Sequence, residues 1–219
     1  VDERAVSLKA KLNELNDTQM ESRRPICDFI AQFVANFADE GDKMTDMYLN
    51  MVLCGPAGSG KTHFSTKISE VMGDVGLLID GFTHVKTKPD LVGENVGESA
   101  PKTVEGIEGA PEGILFIDEA YAITAGRTDY GQECITQMVG MLDKMKGQIC
   151  VIAAGYKQDM LGPKYVEGSD KVREDFMSSN EGLSRRFPYT FELARYTPAD
   201  LAALFNTFWT NRFTDSKDL

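Results

Sequence analysis

The eight residues Gly55-Pro56-Ala57-Gly58-Ser59-Gly60-Lys61-Thr62 follow the pattern G-x-x-x-x-G-K-T. Every fixed position has a task if the ligand is a chain of phosphates. Glycines let successive backbone N–H groups turn inward as a ring of donors, and a helix starting directly after them adds the positive end of its dipole. Lys61 is placed to reach the β- and γ-phosphates, and the Thr62 hydroxyl to ligate Mg²⁺. His63 follows directly and is grouped with the binding segment. The bland alternative is a glycine-rich turn, but the flanks argue for a phosphate loop. An apolar run over Tyr48–Cys54 precedes it, and Phe64, Ile68, Val71 and Met72 fall on one helical face after it.

A second constellation lies downstream. Ile114-Leu115-Phe116-Ile117 is an apolar strand ending in Asp118-Glu119-Ala120. By itself this reads as a buried strand running into a solvated acidic turn. Beside an intact phosphate loop it reads differently: Asp118 holds Mg²⁺ through water, and Glu119 polarises the water that attacks the γ-phosphate. Phosphoryl transfer asks for positioning and charge neutralisation, so these few groups are the expected minimum.

Both segments need a scaffold. Strand-like runs occur at Tyr48–Cys54, Leu77–Asp80, Ile114–Asp118, Ile149–Ala154 and Tyr189–Leu193. Helical patterns occupy Thr62–Met72, a segment after Ser99, Glu133–Lys146 and, more weakly, Lys171–Met177. Near-continuous apolar strands alternating with helices predict a parallel sheet covered on both faces. Ahead of it, Val6–Asn16 carries a modest helical stripe, and Ile26, Phe29, Ile30, Phe33, Val34 and Phe37 a strong one. Thr197-Pro198-Ala199-Asp200 reads as a helix start, followed by a wide apolar face of Leu201, Leu204, Phe205, Phe208 and Trp209. The methionines fall at core spacing and are expected to pack there.

Bulk properties narrow the function. A formal charge of −11 over 219 residues argues against a broad nucleic-acid or anionic-membrane surface. No apolar stretch approaches the roughly 20 residues of a membrane span. Cys27, Cys54, Cys134 and Cys150 lack metal-type spacing and read as buried thiols in a reducing, cytoplasmic setting. His63 and His84 are too isolated for a zinc site. A chain that begins with Val1 and stops soon after an apolar helix reads as part of a longer protein.

Taken together, these motifs resemble the AAA+ ATPases, and within them the branch of red-type Rubisco activases and stage V sporulation protein K. The match rests on Leu91-Val92-Gly93, Gly97, Ala100-Pro101-Lys102-Thr103, Leu115 to Tyr121, Asp129 to Glu133, Ala154-Gly155-Tyr156-Lys157, Ser179-Asn180, Gly182-Leu183 and Arg186-Phe187, and it covers roughly residues 5–212. The resemblance implies an α/β three-layer P-loop fold with a five-stranded parallel sheet ordered 5-1-4-3-2. Residues 1–195 would form the large nucleotide-binding subdomain (1–43 its N-terminal helical segment), and 196–219 the start of a helical lid. It also implies ATP or ADP with Mg²⁺, a homo-oligomeric, usually hexameric, ring and a protein client. In such a ring an arginine acts in trans; Arg186 matches the usual position, with Arg185 as a second candidate.

Three departures qualify this. Tyr156 stands where a polar first sensor is usual. Asn95 replaces the pore-loop aromatic, whose large apolar contact area would grip a threaded chain. Leu161–Asp175 is longer than the usual link, as a solvated loop or a partner contact. The leading expectation is ATP-driven remodelling of a protein partner. The alternatives are a nucleic-acid motor or loader, which would need a basic pore, and an ATP-binding assembly module with weak hydrolysis.

Overall fold

A computed structural model describes residues 27–31, 47–74, 76, 78, 81–110, 113–125, 130–162, 164–165, 172–173 and 175–214. The Val6–Asn16 stripe, most of the Ile26–Phe37 helix and Asp129 lie outside these residues. Within them, Cys27 to Ala31 are helical.

Five parallel strands form the central sheet in the order β2-β3-β4-β1-β7. They are β1 (Met51–Cys54), β2 (Thr83–Lys86), β3 (Ile114–Ile117), β4 (Cys150–Gly155) and β7 (Tyr189–Glu192). This is the order implied by the family resemblance, with β7 as the fifth strand. Alternation along the strands divides the interior in two. Met51, Leu53, Phe116 and Ile152 face Phe64 and Ile68 of helix α1 (Lys61–Asp74). Val52, Leu115, Ile117 and Val151 face Ile107 of α3 (Ser99–Glu108) and Ile135, Met138 and Leu142 of α5 (Tyr130–Lys144). Each such side chain, fully buried, contributes about 1.5–3 kcal/mol, so the two layers are the main source of cohesion.

Several strand and helix boundaries differ from expectation, for local reasons. Strand β1 begins at Met51 and not Tyr48, because the side chain of Asn50 takes over the pairing there. Its Oδ1 accepts the Val151 N–H at 2.9 Å and its Nδ2 donates to the Arg186 carbonyl at 2.8 Å. The second strand of the sheet is Thr83–Lys86, paired with β3; of the run expected at Leu77–Asp80, all but Leu78 lies outside the described residues. As an edge strand it has no fully buried residue, so it lacks the apolar run that marks its neighbours. Leu78 is buried in the α1 layer without joining the sheet.

The helix expected at Lys171–Met177 is not present. Val172–Arg173 (β6) pairs antiparallel with Lys164–Tyr165 (β5), and Met177–Ser179 is a single 3₁₀ turn. Asp175 dictates this locally: its carboxylate accepts the Ser178 N–H at 3.0 Å and the Ser178 hydroxyl at 2.5 Å, offering the backbone an alternative to the helix. The described part of the Leu161–Asp175 insertion is thus a short antiparallel ribbon.

Four short helices complete the frame: α2 (Lys88–Leu91), α4 (Tyr121–Thr124), α6 (Lys157–Leu161) and α7 (Glu181–Arg186). Helix α5 runs Tyr130–Lys144, starting three residues before the expected Glu133 and ending two before Lys146. Gly131 permits the early start, since a Cβ there would lie 2.1 Å from the Ile123 carbonyl oxygen. The last helix, α8 (Pro198–Thr214), begins as expected: Thr197 N–H donates to Asp200 at 2.7 Å, and Asp200 N–H returns a bond to the Thr197 hydroxyl at 3.2 Å. Leu201, Phe205 and Trp209 are exposed along it, with the two rings stacked at 5.8 Å.

Candidate active site

All five sheet strands are parallel, so the loops that follow them gather at one edge. There the loop after β1, the turn after β3 and the residues after β4 enclose a cavity of about 300 Å³. Its lining includes Ala57, Gly58, Gly60, Lys61, Thr62, His63, Asp118, Glu119 and Tyr156. Two segments 55 to 62 positions apart in sequence thus meet around one space.

The loop has the conformation its glycines allow. Gly58 and Gly60 sit at φ +73° and +78°, a region costly for other residues. Gly55 N–H donates to the Gly155 carbonyl at 3.1 Å, tying the loop to the end of β4. Pro56 continues the chain to the crest. Ser59 is buried, and its hydroxyl has no hydrogen-bond partner. Lys61 folds back over its own loop, donating to the Gly55 and Pro56 carbonyls at 3.0 Å each, 5.7 Å from the Tyr156 ring centre. Burial lowers the Lys61 pKa, against the opposing pull of Asp118 and Glu119. Its ammonium is thus held by carbonyls and not by a carboxylate, and the Thr62 hydroxyl is exposed at the first turn of α1. A buried orphan hydroxyl, an ammonium without an acidic partner and a glycine cradle fit an incoming phosphate chain. Thr62 with Asp118 supplies the hard oxygen donors that Mg²⁺ favours.

Across the cavity, Asp118 is half-buried at the end of β3 and accepts the Glu119 N–H at 3.0 Å. Glu119 has φ +50°, the only positive value at a non-glycine among the described residues. Such a conformation costs on the order of 1–2 kcal/mol, which the flanking contacts must hold in place. Ala120 N–H does so by donating to Ala154 at 2.9 Å. The result is that adjacent acids occupy different settings, Asp118 half-buried and Glu119 exposed.

Tyr121, which also lines the cavity, stands apart from the residues that motif spacing singled out. Burial raises its pKa, reinforced by the Glu119 charge, so it remains a neutral donor. Its ring lies 5.9 Å from that of Tyr156. Only a glycine at position 155 leaves room for it, because a Cβ there would be 2.9 Å from the Tyr121 ring. A second, wider cavity of about 830 Å³ shares Ala57 and Tyr156 with the first and extends past Lys157, Leu161, Glu192 and Arg195. A Lys157–Glu192 ion pair of 2.6 Å bridges its wall. Burial pushes the Cys54 thiol under the loop up to about 11 and Cys150 up to about 12. Neither supplies a thiolate at neutral pH. Among the described residues no three His, Cys, Asp or Glu side chains group as a metal site.

Arg185 and Arg186 do not join this cavity. They end α7, immediately before β7, whereas the loop follows the end of β1, and these neighbouring strands run parallel. The arginines therefore sit at the opposite edge of the sheet, about 13 Å of strand away. Arg186 is bound there to Asp143, while Arg185 is exposed. Asn95 does not line the cavity either. Its side-chain amide donates to Glu98 at 2.8 Å, and the same carboxylate accepts the Glu94 and Asn95 N–H groups. Those bonds, chiefly from Asn95, hold the Glu98 pKa below its usual range. Val96 is left 85% exposed at the tip of this turn.

The model of the family described as "ATPase family associated with various cellular activities (AAA)" matches residues 51–176. Among curated proteins, the chain is 32% identical over 173 residues to the ESX-1 secretion system protein EccA1 of Mycobacterium tuberculosis, covering 77% of this chain and 28% of that protein. It is 35% identical over 155 residues to the protein CfxQ homolog of Galdieria sulphuraria, covering 70% and 47%. With stage V sporulation protein K of Bacillus subtilis it shares 32% over 184 residues, covering 83% and 53%. The matched part therefore spans about a quarter to a half of these relatives.

Proposed function

Given that this chain belongs to the AAA family of ATPases, we propose that it hydrolyses ATP within a homo-oligomeric ring to remodel a protein partner. The observation that carries this reading is the convergence of Lys61, Thr62, Asp118 and Glu119 on one cavity. The loop N–H groups and Lys61 bind the phosphates, with Lys61 exchanging the Gly55 and Pro56 carbonyls for phosphate oxygens. The nucleoside end extends toward the wider cavity beside Tyr156. Thr62 and Asp118 would hold Mg²⁺, which would supply charge neutralisation at the phosphates. Glu119 orients the attacking water. Tyr156 donates toward the γ-phosphate as the first sensor, and an arginine of the Gly182–Phe187 segment reaches the site of a neighbouring copy. Six copies is the ring size that family resemblance favours. Cofactor and compartment follow the same logic: Mg·ATP, in a reducing environment that suits four buried free thiols.

The client is proposed to be protein because the chain is acidic and the turn at Glu94–Glu98 carries two carboxylates, which repel a phosphate backbone. With Asn95 folded onto Glu98, that turn offers Val96 in place of an aromatic grip. The test is steady-state ATP turnover by the full-length protein and by Glu119→Gln. We expect turnover in the first and a loss of about 100-fold or more in the second with nucleotide affinity kept. Equal rates would remove Glu119 from the chemistry. Stimulation by single-stranded DNA would favour the nucleic-acid motor. Tight binding without turnover would favour the assembly module.

A further inference from the structure

We infer that the two arginines at the end of α7 divide two tasks: Arg185 enters a neighbouring copy's nucleotide site, and Arg186 is the positioning residue that fixes the helix carrying it. This rests on the oligomeric ATPase reading above and assigns a residue within it. Arg186 engages all three guanidinium nitrogens inside its own chain. Nε donates to Asp143 Oδ1 at 2.9 Å, Nη2 donates to Asp143 Oδ2, and Nη1 donates to the Gly182 carbonyl at 2.8 Å. Its side chain is only 17% exposed. Such a bidentate fork is among the stronger polar contacts, and a guanidinium already neutralised by a carboxylate has little charge left for a γ-phosphate.

The surroundings anchor it further. Tyr48 donates its hydroxyl to the same Asp143, and the Arg186 carbonyl accepts the Asn50 amide. Helix α7 is thereby fastened to α5 and to the entry of β1. Arg185, one residue earlier, is exposed and makes no hydrogen bond or ion pair among the described residues. A cation free of internal partners, projecting from a clamped helix end, is what a site in another subunit requires. Swinging Arg186 out would instead break its fork and strip Asp143 of its cation.

The test compares Arg185→Ala, Arg186→Lys and Asp143→Asn in the full-length protein by kcat, KM for ATP and Tm. Arg185→Ala is expected to lose about 10³-fold or more in kcat, with KM and Tm unchanged. Mixing it with Lys61→Ala, which keeps Arg185 but lacks the phosphate-binding lysine, restores part of the activity. Arg186→Lys and Asp143→Asn each lower Tm and lower kcat by less than about tenfold at unchanged KM, and the double variant is no worse than either alone. Wild-type turnover in Arg185→Ala overturns the assignment, as does absence of rescue on mixing. A 10³-fold loss in Arg186→Lys at unchanged Tm, with Asp143→Asn active, would transfer the role to Arg186. A wild-type protein that turns over no ATP overturns the underlying reading and this inference with it.

Discussion

The two edges of the sheet treat their polar groups in opposite ways. At the edge where the strands end, Lys61 rests on carbonyls of its own loop, the Ser59 hydroxyl is buried without a partner, and Glu119 is held at φ +50°. At the edge where the strands begin, Asn50, Tyr48, Asp143 and Arg186 form a closed set of donors and acceptors. Unmet polar capacity and backbone strain reduce stability. Of the two buried hydroxyls without a partner among the described residues, Ser69 lies along α1 and Ser59 at the first edge. The coincidence of Ser59 there with the positive φ of Glu119 marks that edge as built for an incoming ligand. Saturation marks the other edge as built for cohesion. Arg185 is the exception that sharpens the contrast, a cation without a partner among the described residues on the saturated edge.

Variants at the first edge should then change turnover and not stability, and those at the second the reverse. At the first edge the largest effect belongs to Glu119→Gln, a loss of about 100-fold or more in kcat with the melting temperature unchanged within about 1 °C. A concurrent collapse of Tm would mean that Glu119 also holds the fold, and the contrast would fail. Next comes Asn50→Ala, which leaves the Val151 N–H and the Arg186 carbonyl without their partner. It should cost about 2 kcal/mol, a fall of roughly 4–8 °C for a chain of this size, with nucleotide affinity retained.

Asp143→Asn gives a smaller change with a distinctive pH dependence. Hydrogen bonds from Arg186 and then Tyr48 hold the Asp143 carboxyl below the usual carboxylate range. Its stabilisation is therefore complete above the unfolded value of about 4 and is lost as pH falls through the lower folded value. The Tm gap between wild type and variant, largest near neutrality, should close below about pH 4. A gap that widens in acid would contradict the pairing. The smallest effect is at Ser59→Ala, where removing a buried unsatisfied hydroxyl should leave the nucleotide-free Tm unchanged or raise it by a few degrees. A clear fall would reveal a partner for that hydroxyl and weaken the contrast.

How much of this was legible in the sequence depends on how local the cause is. The loop at 55–62, the apolar strand ending in Asp118-Glu119 and the Thr197–Asp200 cap are set by neighbours within a few residues, and all three stand where spacing put them. Core strands were readable because both faces are apolar. The edge strand Thr83–Lys86 was not, since an edge has one partner and partly wet faces. The turn at Met177–Ser179 was hidden because Asp175 overrides a weak helical pattern through its own side chain. Tyr121 had no spacing rule of its own; its place depends on the gap that Gly155 leaves. The pairing of Arg186 with Asp143 spans 43 positions and follows no period, so no local pattern announces it.

The central claim is that the phosphate loop forms half of a site completed by a second subunit. The direct measurement is ATP turnover per subunit across a wide range of concentrations of the full-length protein. The account predicts near-zero turnover in dilute solution, a steep rise as subunits assemble, and then a plateau. Constant turnover per subunit from the most dilute sample upward would contradict it, because the cavity around Lys61, Asp118 and Glu119 would then be complete within one chain.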